Sequence, residues 1–327
     1  MARAVLTGIY TLTPTHCGTG QTSGAVDLPI ARDAHTRLPV LPASGLKGAA
    51  RSMLNEAKAD ERALARHLFG LELEGQGADE EAKAGSLVLL EGRLLLYPLR
   101  SLQRPFLYAT CPLILERFER DVRALGLREH ALCKDWVLPR SASQRQVPGE
   151  LPRPRTFVTD PALAGQTLVV EDLVYKADEV GVLTRTEALT RVLQELLPND
   201  EQATRQRIAE SLVVLPDNDF MDVLQRAVPV QARIKLDDET KTTGNGGNLW
   251  YEEALPPDCL FAVAVTQRAG YRENGVEPAA ELAALLRRVR EERHAIQIGG
   301  NETVGQGFCW WTATPGLVAA QDGARHG

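Results

Sequence analysis

The sequence predicts an α+β protein with a ferredoxin-like, RRM-type core that carries large insertions. Two observations point there. Over the first 175 residues, apolar segments follow in the order strand, helix, strand, strand, helix, strand, and stretches rich in Gly, Pro or charge break in between them. With 327 residues, 44% of them hydrophobic, the chain is long enough to bury a full core around such a unit.

Residues 5–12, Val-Leu-Thr-Gly-Ile-Tyr-Thr-Leu, are β-branched or aromatic and stop at Thr13-Pro14, which predicts the first strand. A Gly-, Thr- and Pro-rich loop runs from His16 to about Pro42. Ser44 then stands as an N-cap for a helix over about 45–58, since Leu46, Ala49, Ala50, Met53 and Leu54 recur at helical spacing. Residues 70–85 read as an acidic surface loop. Ser86–Tyr97, interrupted at Glu91-Gly92, and Phe106–Cys111 predict two further strands. Pro112 suits the first turn of a helix that uses Leu115, Phe118, Val122 and Leu125. Residues 139–159, with four Pro, four Arg and one acid, predict an irregular insertion, and Leu168–Tyr175 the strand that closes the core.

The second half predicts a helix near 199–211, strands at Val228–Leu236, Leu249–Glu253 and Leu260–Thr266, and an amphipathic helix over 282–293 built on Leu282, Leu285, Leu286 and Val289. Strand-like segments flank a glycine-rich stretch, 299–307.

No apolar run approaches the roughly 18 residues of a membrane span, and Met1–Tyr10 lacks the order of a signal peptide, so a cytoplasmic protein without membrane contact is expected. The five cysteines are scattered and never spaced C-x-x-C, which points to packed thiols rather than a disulfide framework or a zinc ribbon. A net charge of -6 requires any contact with nucleic acid to be local.

Several features can carry chemistry. Gly299, Gly300, Gly305 and Gly307 lie in a stretch whose backbone N–H groups can approach a phosphate, although taken alone it reads first as a tight turn. It is neither a Walker loop nor a Rossmann turn. Lys47 and Arg51 share one face of the first helix near its positive end, as an anion site or a solvated pair. Arg140, Arg145, Arg153 and Arg155 make a basic patch that reads first as solvated surface. Residues 237–248, Gly- and Asn-rich, have the composition of a hairpin tip. Asp27 is an isolated acid in a long loop, and His16 is an unpartnered histidine whose isolation favours a structural role over a general base. No triad, metal-ligand spacing or nucleotide loop is present.

Four segments in order resemble the RAMP superfamily of CRISPR-associated proteins, most closely the backbone and nuclease subunit of type III-B (Cmr) effector complexes. They are Val26-Asp-Leu-Pro-Ile-Ala-Arg-Asp33 with Leu38–Arg51; Leu96-Tyr-Pro-Leu-Arg-Ser101 with Tyr108–Pro112; Leu249-Trp-Tyr-Glu-Glu-Ala-Leu-Pro-Pro257; and Ile298-Gly-Gly-Asn-Glu-Thr-Val-Gly-Gln-Gly-Phe308. The resemblance implies one RAMP domain over 1–327, with insertions at about 60–85 (acidic), 136–165 (basic) and 236–249, the last a β-hairpin thumb that includes Lys241, Asn245 and Leu249.

It further implies an endoribonuclease that binds guide RNA, stacks with other copies of itself and other Cmr subunits, and cleaves target RNA at regular intervals. Lys47, Arg51 and the four glycines match the part that grips the guide. By position, Asp27 matches an acidic residue that supports cleavage with a divalent metal, expected to be Mg²⁺. Gln306 stands where a Lys is common in the family. Three alternatives remain open: a type III-A backbone subunit, a metal-independent guide-processing endoribonuclease using His16, and a non-cleaving structural subunit.

Overall fold

A computed structural model describes residues 4–54, 58–70, 84–127, 155–184, 187–235, 249–268, 283, 285–289 and 295–318. The basic insertion up to residue 154 with Arg140, Arg145 and Arg153, the hairpin tip with Lys241 and Asn245, residues 71–83 and Cys133 lie outside them.

The strands are β1 (Ala4–Thr11), β2 (Val40–Leu41), β3 (Leu87–Leu89), β4 (Gly92–Arg100), β5 (Phe106–Thr110), β6 (Thr156–Val158), β7 (Leu168–Val170), β8 (Leu173–Tyr175), β9 (Val180–Val182), β10 (Leu212–Val214), β11 (Val230–Ile234), β12 (Leu249–Glu253), β13 (Leu260–Gln267), β14 (Ala295–Gln297) and β15 (Phe308–Val318). The helices are α1 (Ala43–Ser52), α2 (Ala59–Phe69), α3 (Pro112–Ala124), α4 (Glu187–Glu195), α5 (Gln202–Glu210) and α6 (Asp217–Ala227). The main sheet runs β14-β15-β1-β13-β4-β5-β10-β6-β9, with β2 paired to β4 and β3 to β13.

A ferredoxin-like unit lies inside this sheet. β1 is antiparallel to both β13 and β15, and β13 is antiparallel to β4. With α1 between β1 and β4 and the helical residues 285–289 between β13 and β15, the chain traces β-α-β-β-α-β in the spatial order fourth, first, third, second. The fold class is as predicted, but Leu168–Tyr175 is not the closing strand. It folds instead into the β7/β8 hairpin, turning at Glu171 (φ 54), as a sheet of its own. The closing strand is β15, about 140 residues further on, because everything from β5 to β12 is inserted between the second and third strands of the unit.

Local chemistry explains the elements. β1 is buried along its whole length, its edges paired with β13 and β15 and both faces packed into the core, with Gly8 against Leu196, which accounts for a continuous apolar run instead of alternation. Trp311 Nε1 donates to Thr7 Oγ1 (2.9 Å), and that hydroxyl donates to the Val263 carbonyl (2.8 Å), so these buried polar atoms on the three strands satisfy one another. α3 starts at Pro112 as predicted and buries Ile114, Leu115, Phe118 and Val122, each contributing roughly 1.5–3 kcal/mol.

Several expectations are corrected. α1 is capped by Pro42, not Ser44: ψ 134 at Pro42 turns the chain, and its carbonyl accepts the Leu46 N–H. Residues 59–69, the start of the expected acidic loop, form α2, whose Ala65, Leu68 and Phe69 are buried. Within the stretch expected to be irregular, Thr156–Val158 is a strand, paired with β10 and β9. Cys17, Cys111, Cys259 and Cys309 are buried free thiols; burial pushes those of Cys17 and Cys309 up to about 12.

Candidate nucleic-acid interface

Two antiparallel strands, β11 and β12, pair outside the main sheet in the register Val230↔Glu253 to Ile234↔Leu249. They bracket residues 236–248, where the sequence predicts a hairpin tip. Strand alternation gives this ribbon two unlike faces. Val230, Ile234, Leu249 and Tyr251 are 44–55% exposed on one, while Glu252 on the other is 3% exposed.

The long loop after β1 is laid against β12. Leu28 N–H donates to the Tyr251 carbonyl (3.0 Å), Glu253 N–H to the Leu28 carbonyl (3.0 Å), and Leu28 bridges Glu252 in parallel. This pairing sets Asp27, half-buried, beside the root of the hairpin, where its Oδ2 accepts the Tyr251 N–H at 2.8 Å. The sequence alone gave no reason for Asp27 to lie next to Tyr251, which is 224 residues away in the chain.

The buried carboxylate of Glu252 joins three more segments. Asn301 Nδ2 donates to its Oε1, Arg233 Nε lies 3.6 Å from its Oε2, and His16 Nδ1 lies 3.7 Å from its Oε1. Gln306, 5% exposed, fits between Glu252 and Arg233: its nitrogen donates to Glu252 Oε1 (3.2 Å) and its oxygen accepts from Arg233 Nη2. The residue standing where the family often has a Lys is therefore a buried joint between the glycine-rich stretch and the hairpin root. His16 Nδ1 donates to the Glu253 carbonyl at 2.7 Å, so the proton sits on that nitrogen.

The glycines divide into two kinds. Gly299 (φ 83) and Gly300 are exposed, and Gly300 N–H donates to the His16 carbonyl. A Cβ on Gly299 would sit 2.2 Å from the His16 carbonyl oxygen, so no other residue fits. With His16, Gly18, Ser44 and Gly45 they line an open cleft of about 370 Å³. The cleft meets the N-terminus of α1, which has no side-chain cap and no acid in its first turn, leaving its N–H groups and positive end for an anion. Gly307 is buried, with its N–H given to the Pro14 carbonyl and its carbonyl to the Ile298 N–H. Gly305 (φ 79) ends the 3-10 turn Glu302–Val304 in open space.

Lys47 is exposed on α1, whereas Arg51 Nη1 donates to the Gly70 carbonyl at the end of α2 (2.8 Å). Arg155 is held by Glu179 and Asp219. Leu249 starts β12, opposite Ile234.

A divalent metal needs several oxygen or nitrogen ligands. Among the described residues no three His, Cys, Asp or Glu side chains gather to hold one, and Asp27 brings a single carboxylate with one oxygen already accepting a hydrogen bond. These residues do not form a resident metal site by themselves.

The family model of the RAMP superfamily matches residues 8–310. The CRISPR system Cmr endoribonuclease Cmr4 of Pyrococcus furiosus is 32% identical over 318 residues, 94% of each chain. Among solved structures, oligomeric Cmr4 from Pyrococcus furiosus superposes with a TM-score of 0.65 at 23% identity, covering 96% of this chain and 98% of that one. A chain of the type III-B Cmr-beta complex bound to cognate target RNA does so with a TM-score of 0.66 at 18% identity, covering 96% and 97%. The ferredoxin-like unit, the laid-down Asp27 loop and the paired hairpin arms are thus those of a chain that belongs to the RAMP superfamily and, within it, groups with the Cmr4 proteins.

Proposed function

We propose that this chain is the backbone subunit of a type III-B CRISPR effector complex, an assembly of the cytoplasm in which several copies bind a guide RNA and cleave complementary target RNA beside Asp27. The observation that carries the reading is the fixing of Asp27 against β12, beside a strand pair separate from the main sheet, within a chain related to Cmr4 over nearly its whole length. The guide backbone is assigned to the cleft of Gly299, Gly300 and the α1 N-terminus, whose glycines and uncapped N–H groups suit a phosphate, as a binder of any spacer requires.

The chemistry open to Asp27 is in-line transfer at phosphorus. Its carboxylate accepts the proton of a 2′-hydroxyl, whose oxygen bonds to the adjacent phosphorus as the P–O5′ bond breaks, and water supplies the proton to the departing 5′-oxygen. The hairpin root holds the carboxylate still during this step, and orientation contributes substantially to such catalysis. Mg²⁺ belongs to the proposal as an ion shared with RNA phosphates, since one carboxylate does not hold it unaided. Chelation should stop cleavage without releasing the guide, and cleavage that continues in EDTA would remove the ion from the reading. A guide-processing role for His16 is less well supported, because its Nδ1 is committed to the Glu253 carbonyl.

Purification of the tagged chain after co-expression with its complex tests the assembly. Guide RNA, further copies of the chain and regularly spaced cuts in complementary RNA are expected. A solitary chain free of RNA would contradict the proposal.

A further inference from the structure

We propose that Glu253 is a positioning residue for target cleavage, an inference that rests on the assignment of cleavage to Asp27. Strand alternation turns its neighbour Glu252 toward the glycine-rich stretch and Glu253 toward the Asp27 loop. There Glu253 uses every polar group it has. Its N–H donates to the Leu28 carbonyl (3.0 Å), its Oε2 accepts from Ile30 N–H (3.0 Å), its Oε1 accepts from Arg32 Nη2 (3.2 Å), and its carbonyl accepts from His16 Nδ1 (2.7 Å). The side chain of Arg32 is 7% exposed and that of Glu253 13%, so this ion pair is largely withdrawn from water. The second Arg32 nitrogen, Nη1, donates to the Arg37 carbonyl (3.2 Å) and ties in the far end of the loop.

The pairing of this loop with β12 ends at Leu28, and the Glu253 carboxylate extends the hold of that strand as far as Arg32, beside the backbone bonds of Ala31 to Cys17 and Val40. Without that carboxylate the Ile30 N–H loses its acceptor and a buried guanidinium loses its counter-charge, and the loop must move to rehydrate both. Among the described residues the Asp27 side chain has one hydrogen bond, from the Tyr251 N–H, so a shift of the loop moves the carboxylate away from the scissile phosphate. A displacement of about 1 Å at such a group costs on the order of 100-fold in rate. The guide cleft is lined outside residues 26–32 except at Leu28, so guide and target should be bound as before.

Complexes assembled with Glu253→Ala, Glu253→Gln and Asp27→Asn chains provide the test, by single-turnover cleavage over a range of target concentration and by amide hydrogen exchange over residues 26–32. For Glu253→Ala the maximal rate should fall by about 10-fold or more, with the half-saturating target concentration within about 2-fold of wild type and faster exchange at Leu28 and Ile30. Glu253→Gln, whose amide oxygen still accepts from Ile30 but whose lost charge leaves Arg32 unpaired, should be slowed less than the alanine chain. If the alanine chain fails to assemble, Arg32→Met, which removes the counter-charge and keeps the apolar stem, carries the same expectation. A residue of merely structural worth would lower the melting temperature and the yield of complex but leave the rate per assembled complex unchanged, and that result overturns the proposal. Inactive Asp27→Asn beside fully active Glu253→Ala overturns it alone, whereas Asp27→Asn that cuts at the wild-type rate overturns the cleavage assignment and the proposal with it.

Discussion

Replacing Glu252 by alanine should be among the most destabilising single changes at the hairpin root. The carboxylate is almost wholly buried and serves Asn301, Gln306, Arg233 and His16 together. Its removal leaves the Asn301 and Gln306 amides without their acceptor, at about 1 kcal/mol or more each. It also leaves the Arg233 guanidinium, 28% exposed, without its counter-charge, and breaking a pair of this kind costs about 3 kcal/mol. The terms overlap, so the total expected is about 3–4 kcal/mol, read as a shift of the urea midpoint at constant slope. Arg233→Ala alone should cost less, because a buried carboxylate that keeps Asn301 and Gln306 as donors is still partly satisfied. The double variant should then be less damaged than the sum of the singles by about 1–2 kcal/mol. A cost for Glu252→Ala below about 0.5 kcal/mol, or strict additivity with Arg233→Ala, would refute the network as the joint of the hairpin.

Asp33 supplies a pH test. Burial alone would raise its pKa, but the Thr36 and His35 N–H groups and the Arg117 guanidinium outweigh burial and hold it down at about 2. Because the folded pKa is lowered, this stabilisation of about 2 kcal/mol is complete above the ordinary carboxylate range and drains away as pH falls through 4 toward 2. The stability gap between wild type and Asp33→Asn should therefore narrow below pH 4, and a gap independent of pH contradicts it. Lys47→Ala should reduce the log–log salt slope of guide binding by about 0.7–1 without affecting stability. Arg51→Ala should instead lower the melting temperature, since its donor to the Gly70 carbonyl is lost. Gly307→Ala should cost about 2 kcal/mol or more, because φ 80 combines with a Cβ 2.1 Å from the Ile298 carbonyl oxygen, whereas Gly305→Ala, at φ 79 in open space, should cost about 1. Equal costs for the two would contradict the packing described.

The elements legible in the sequence were those set by short-range chemistry. β1 and β12 are dense β-branched or aromatic runs, α3 announces itself with Pro112, and the arms of β11 and β12 bracket a polar tip. α6 was overlooked although its signal was present, with Asp217 and Asp219 in the first turn and Phe220, Val223 and Leu224 buried at helical spacing. The closing strand of the core was misplaced for a different reason: order along the chain says nothing about pairing across an insertion, and Val5 pairs with Val318. At the site, helical spacing correctly put Lys47 and Arg51 on one helix, but Arg51 is claimed by the end of α2, a helix that was read as loop. Glu252, Glu253 and Gln306 looked like ordinary polar residues of a strand and a turn. Their partners lie up to 237 residues away, and only the fold brings them together.

The central claim, that Asp27 is the group beside which target RNA is cut, is tested most directly by Asp27→Asn, which keeps an oxygen to accept from the Tyr251 N–H and removes the charge. Complexes assembled with this chain and with wild type should be compared for target binding and for single-turnover cleavage in Mg²⁺. The account predicts equal target affinity and equal guide content, with cleavage slowed by about 100-fold or more at every regularly spaced position. Cleavage by the Asp27→Asn complex at the same positions and the wild-type rate would contradict it.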